Sequence, residues 1–306
     1  MAGTVRSDVL TLLQTGINGA FIGALNGAPE TYKELCTYMQ TNNDTETFGW
    51  LGVVPGVREW VGERETKAIG EEKYTLAPKL WENSIEIPRT LIEDEKLGQL
   101  TFAASALGAK AGKGKNDRVS DIIKEATTAL CYDGTAFFNA THKYTSKGSY
   151  KTAQSNLTNL ALDATNLKTV ITAMSKVKDS DGKVMGIRPD TLLVPPDLEF
   201  TAYALLNSFY NPGTGDNSGM GVNPLQGKLK VIVDYNLTDE DAWYVLCLNE
   251  FIRPFIFIDR VGIELASLEE QSEQAYKTDK YNYGSRARYE AGYGLWQLAY
   301  ASIPAG

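Results

Sequence analysis

The chain is short of the groups that most often do chemistry. His142 is its sole histidine, so a histidine-rich metal site is excluded and a Ser-His-Asp relay would depend on one residue of a polar segment. Cys36, Cys131 and Cys247 lie far apart with no Cys-x-x-Cys pair, the pattern of reduced core thiols. No run approaches the roughly 20 apolar residues of a membrane span. The first residues, with Arg6 and a brief apolar stretch from Val9 to Leu13, do not read as a signal peptide, so assembly in the cytoplasm is expected. Basic residues are outnumbered, 30 Lys and Arg against 38 Asp and Glu. The resulting net charge of -8 lacks the basic footprint that phosphate binding needs. Repeats and low-complexity tracts are missing too.

The fragments that look like motifs fail on spacing. Gly108 to Lys115, GAKAGKGK, lacks the phosphate-loop spacing and its final hydroxyl, and it follows a helical pattern instead of a strand. Asp179-Ser180-Asp181-Gly182 opens like a calcium loop, but the twelfth position is Asp190 where a Glu is needed. Glu93-Asp94-Glu95 could serve an acidic cytoplasmic hydrolase as paired carboxylates. The simpler reading is the first turn of a helix, where the dipole favours negative charge. No catalytic residue, cofactor or metal site is assigned.

What is present is an ordinary folded composition, 306 residues with 43% hydrophobic and 22% charged, enough for one large domain or two smaller ones. From Arg58 to Arg89 charges interleave with Trp60, Val61, Ile69, Tyr74, Leu76, Leu80, Trp81, Ile85 and Ile87 around a turn at Gly70-Glu71-Glu72-Lys73. This predicts two strands and a tip. A two-stranded ribbon is marginal alone in water, yet Trp50, Trp60 and Trp81 lie in or beside it. Burying each Trp is worth at most about 4 to 6 kcal/mol, so the ribbon is expected to find cover on another subunit.

Leu97, Leu100, Ala104, Leu107 and Ala111 predict a helix that breaks at Gly112 to Lys115. Asn116 or Asp117 would cap a restart through Val119, Ile122, Ile123, Ala126 and Leu130. Ahead of the ribbon, Val9 to Phe21 and Tyr32 to Met39 predict two short helices, too small for a core of their own and expected to lie along a neighbour. Further on, Asp163 caps a helix, Thr191 to Val194 is a buried strand, and Pro195-Pro196-Asp197 opens a helix through Asn207. Ser208 to Pro224 is an exposed Gly- and Asn-rich loop. Strands are predicted at Leu229 to Val233, Trp243 to Leu248, Phe255 to Ile258 and around Ser285 to Glu290, with Trp296 to Ile303 closing the sheet of the last of these.

Phe48-Gly49-Trp50-Leu51-Gly52 through Pro55, then Arg58-Glu59-Trp60, Gly62 and Arg64, resemble the Mu-like phage major head subunit family. So do Ile87-Pro88-Arg89, Ile92-Glu93-Asp94-Glu95 and Cys131-Tyr132-Asp133-Gly134 followed by Phe137-Phe138. The chain departs from the family pattern at Asn139-Ala140-Thr141-His142, where an acidic residue is expected before the histidine. The resemblance implies an α+β fold of the HK97 capsid type. Its parts are an N-terminal arm (1–45), an E-loop region (46–92), a P-domain with a spine helix (93–156), an A-domain (157–262) and returning P-domain strands (263–306). It implies a major capsid protein of a tailed-phage head, with an encapsulin-like compartment as the alternative on the same fold. Implied partners are copies of itself in pentamers and hexamers, scaffold and portal proteins, a decoration protein, and enclosed double-stranded DNA bound without sequence preference; no membrane is implied. The implied intersubunit residues are Trp50, Arg58, Trp60, Arg64, Lys67, Glu71, Glu72, Lys73, Tyr74 and Trp81.

Overall fold

The computed structural model describes residues 15–49, 74–88, 90, 97–142, 153–179, 182–210, 221–268 and 277–304. Residues 15–26 form α1, and α2 (Thr31–Leu35) runs directly into β1 (Cys36–Gln40). A helix through Met39 is therefore not found. The chain turns extended at Cys36 because β1 pairs in parallel with the start of β9 (Phe255–Leu268), Cys36 opposite Phe255 and Gln40 opposite Asp259. Tertiary pairing here outweighs local propensity.

The described part of this arm also finds its cover at home. Ile17 is buried with Ile87, Leu100, Ala104, Tyr281 and Tyr283. The arm lies on α3 (Leu97–Glu125), a helix of 29 residues that runs unbroken through the expected break at Gly112 to Lys115. Its glycines mark close approach instead. A Cβ at Gly108 would strike the Phe21 carbonyl, and one at Gly112 would stand 2.5 Å from the Ala28 methyl. Asn116, predicted as a cap, is a strut: its Oδ1 accepts from Tyr32 N at 3.0 Å and its Nδ2 donates to the Pro29 carbonyl at 2.6 Å.

The first sheet has the order β1-β9-β10-β4. In it β4 (Lys79–Pro88) runs antiparallel to β10 (Lys280–Tyr293) from Lys79 opposite Tyr289 to Pro88 opposite Lys280. β9 extends well past Ile258 because β10 pairs with it on the other side. Of the predicted ribbon, only the second limb is described. β3 (Tyr74–Leu76) pairs with β2 (Glu46–Phe48), and β4 pairs with β10; the first limb and the tip, within 50–73, lie outside the described residues.

The second sheet takes the order β5 (Leu157–Thr158), β11 (Ala299–Ser302), β8 (Trp243–Leu246), β6 (Thr191–Val194), β7 (Lys230–Val233). The last strand thus leaves the sheet it was expected to close. Both edges of β10 are taken by β4 and β9, and β11 crosses to pair with β8, Ala299 opposite Leu246. Every residue of β6, β8 and β11 is buried, so these strands suit the middle of a covered sheet. α4 (Ala164–Ser175) starts as predicted at Asp163, whose carboxylate accepts from Thr165 N and Asn166 N. A 3-10 turn at Pro196–Leu198 leads into α5 (Glu199–Asn207). One apolar core joins both sheets, with Phe137 and Phe138 packed against Phe255, Tyr293 and Tyr244.

Candidate assembly surface

The root of the ribbon is held by its own chain. Trp81 stacks on Tyr289 at 5.5 Å between ring centres, and its Nε1 donates to the Tyr289 carbonyl at 3.0 Å. Tyr74 accepts a hydrogen bond from Tyr293 N on its hydroxyl at 3.2 Å. The family resemblance implies both residues as contacts to a neighbour, and in the structure each has a partner inside the chain. Trp50, Arg58, Trp60, Arg64, Lys67, Glu71, Glu72 and Lys73 lie outside the described residues, as do Glu93, Asp94 and Glu95.

Behind the ribbon root, α3 is registered on the sheet by two charge pairs whose carboxylates are buried. Lys115 pairs with Asp259 on β9, and Arg118 pairs with Glu290 on β10. The Lys115 ammonium also stands 5.6 to 5.9 Å from the ring centres of Tyr32, Phe257 and Tyr289, a cage that favours the cation. Such pairs add little net stability, since desolvation opposes the attraction, but leaving either partner alone is costly. They fix where the helix sits.

Sequence reasoning missed an exposed aromatic face. On α5, Ala202, Leu205 and Leu206 point inward while Phe200, 83% exposed, and Tyr203 point out. Beside them Phe209 and Tyr210 touch edge to face at 5.0 Å, and Tyr210 forms an antiparallel bridge with Val222; the segment between, 211–220, lies outside the described residues. The signal was available as an aromatic pair at i and i+3 on a helix whose buried face was already filled. Single exposed apolar residues are ordinary, whereas a cluster marks a contact surface.

His142, from the polar segment, is held inside the fold by hydrogen bonds. It is buried, stacks on Trp296 at 4.0 Å, and contacts Asp133 and Asn156. Burial alone would raise the Asp133 carboxyl, but hydrogen bonds from His142, Cys131 and Thr135 outweigh it and hold the group down at about 2. All three cysteines are free and buried, and burial pushes their thiols up, that of Cys247 to about 11. Among the described residues, no helix is long and apolar enough to cross a membrane.

Known proteins account for this arrangement. The family model described as Mu-like prophage major head subunit gpT matches residues 10–161, 157–237 and 226–304. The FluMu prophage major head subunit of Haemophilus influenzae is 26% identical over 97% of this chain and 74% of its own length. The major capsid protein of Escherichia phage Mu is 23% identical over 94% of this chain and 72% of its own. The procapsid subunit of bacteriophage JBD30 superposes with a TM-score of 0.60 at 25% identity, covering 98% of this chain and 76% of that one. The chain belongs to the Mu-like prophage major head subunit family, whose members build the capsid of a Mu-like phage head.

Proposed function

We propose that the shell closes through the 46–92 segment, reaching from its root on β10 to cover an adjacent subunit as the E-loop of the HK97 fold. The supporting observation is the one-sidedness of β4. Its ladder to β10 is complete, while its other edge pairs with no strand among the described residues, and its outer face carries Leu80, 65% exposed. An open strand edge is a template for another chain. In this reading residues 1–45 are the arm, 93–156 and 263–306 make the P-domain, and 157–262 make the A-domain. The aromatic face around Phe200 then meets its copies around capsomer centres, in pentamers and hexamers.

Partners beyond further copies follow from the same reading. A scaffold and a portal complete the head, and double-stranded DNA is enclosed by an acidic protein that does not grip it. Minor capsid protein trimers decorate a JBD30 capsid of similar fold, and a partner of that class is proposed here. Trp60→Ala tests the E-loop. Sedimentation velocity and negative-stain images of the variant should give folded subunits and no closed shells under conditions where the wild-type chain closes them. Normal shells from Trp60→Ala would sink the E-loop clasp.

A further inference from the structure

Cys131, Asp133 and His142 bring a thiol, a carboxylate and an imidazole together in the core, with one potential ligand atom from each within 4.8 Å of the others. The imidazole is oriented from outside the trio. Asn156 Nδ2 donates to the carbonyls of Phe137, Trp296 and Ala299, so its Oδ1 must accept. It does so from Asn139 N at 2.9 Å and from His142 Nε2 at 3.0 Å. Nε2 therefore carries hydrogen. Nδ1 then faces Asp133 Oδ2 at 2.7 Å, and two electron-rich atoms that close require a cation between them, a proton or a metal ion. A ring nitrogen pinned by a protein oxygen while the other is presented to a carboxylate is how metal-binding histidines are oriented.

The thiol distinguishes the two cations. Cys131 Sγ lies 3.0 Å from the other oxygen of the same carboxylate. With a proton between His142 and Asp133 the thiol donates to Asp133 Oδ1; with a metal ion it becomes a third ligand from the chain. Gly134, at φ +74°, makes the tight turn that folds Cys131 and Asp133 toward one point.

We propose that Cys131 Sγ, one Asp133 oxygen and His142 Nδ1 hold a zinc ion, with Thr135 Oγ1 or a water as fourth ligand. Thr135 Oγ1 is 3.1 Å from Nδ1 and 2.8 Å from Asp133 Oδ1. Ligands at about 2.0 to 2.3 Å from a tetrahedral ion stand roughly 3.3 to 3.8 Å apart, so His142 Nδ1 and Asp133 Oδ2, now 2.7 Å apart, would separate by about 1 Å or less on binding. Protons and charge balance. The Sγ–H and Nδ1–H bonds break, two protons pass to solvent as zinc enters, and the net charge of the buried site stays at zero. Thiolate and imidazole together select zinc over magnesium or calcium. The ion is structural: it ties the turn after α3 to the bridge between His142 and Gln154 and, through Asn156, to the start of β11.

The test uses the full chain purified without chelator, with bound zinc measured by elemental analysis and cobalt added to the stripped protein. The expected result is about one zinc per chain, falling to about a tenth or less in Cys131→Ser and His142→Gln, with Cys36→Ser and Cys247→Ser unchanged. Stripped wild type should gain a thiolate-to-cobalt absorption band that Cys131→Ser lacks. Because the variants could misfold, the wild type alone is also decisive. A wild-type chain with no zinc and no such band in excess cobalt overturns the proposal and leaves a proton between Asp133 and His142, as does full zinc retention by Cys131→Ser.

Discussion

In the five-stranded sheet β6, β8 and β11 bury every residue, and Leu192, Leu193, Val194, Trp243 and Val245 are sealed in the core. In the four-stranded sheet β4 alternates, with Trp81, Asn83, Ile85 and Ile87 turned inward and Leu80, Glu82, Ser84 and Glu86 left in water. The face of that sheet under α3 carries Asp259 and Glu290, each answered by a helix cation. One sheet is specified by volume, the other by register and charge. Polar residues beside an open strand edge keep it from pairing indiscriminately.

The contrast can be broken by substitution. Leu193→Ala, at a fully buried position of β6, should cost about 3 kcal/mol through lost burial and a cavity. The readout is the denaturant midpoint of the unassembled subunit, and a loss below about 1 kcal/mol would mean that this sheet is not the volume-limited one. Gly108→Ala sharpens the role of the arm. In an exposed helix this change stabilises by about 1 kcal/mol, but here the new methyl meets the Phe21 backbone, so a net loss of about 1 to 2 kcal/mol is expected as α1 is pushed off. A gain would show that α1 does not dock on α3. Smallest is Lys280→Ala, which removes an exposed pair with Glu86 at the end of the β4 ladder. Its effect on the midpoint should stay within about 0.5 kcal/mol, and a larger one would mean that the ladder depends on its surface charges.

Local pattern was legible and distant pairing was not. The Asp163 cap, the Thr191–Val194 strand, the start at Pro196 and the buried Leu100, Ala104, Leu107, Val119, Ile122 and Ile123 of α3 all follow from residues within a turn or two of one another. Gly108 and Gly112 of α3 serve the close approach of the arm at Phe21, Leu25 and Ala28. The burial of Lys115 depends on Asp259, 144 residues away. β11 leaves β10 because β4 already occupies that edge. Of the candidate contact residues, a Trp in a charged ribbon looks the same in sequence whether its cover is Tyr289 of its own chain or a neighbour. Trp81 has the first, which is why Trp60 is now the informative substitution. Cys131 and Asp133 lie in a run that resembles the family and His142 in the segment that departs from it, and nothing in their spacing announces that the side chains converge.

The overlap of β4 with β10 also sets how a subunit transmits force. Antiparallel strands drawn along their length must slide before they part, so a pull on the ribbon loads every rung from Lys79–Tyr289 to Pro88–Lys280 together. β10 passes the load on to β9 along most of its own length. The attachment is a lap joint, in which strength grows with overlap and no single rung is the weak link. A pull along the ribbon would therefore meet this joint in shear, the direction in which it resists best.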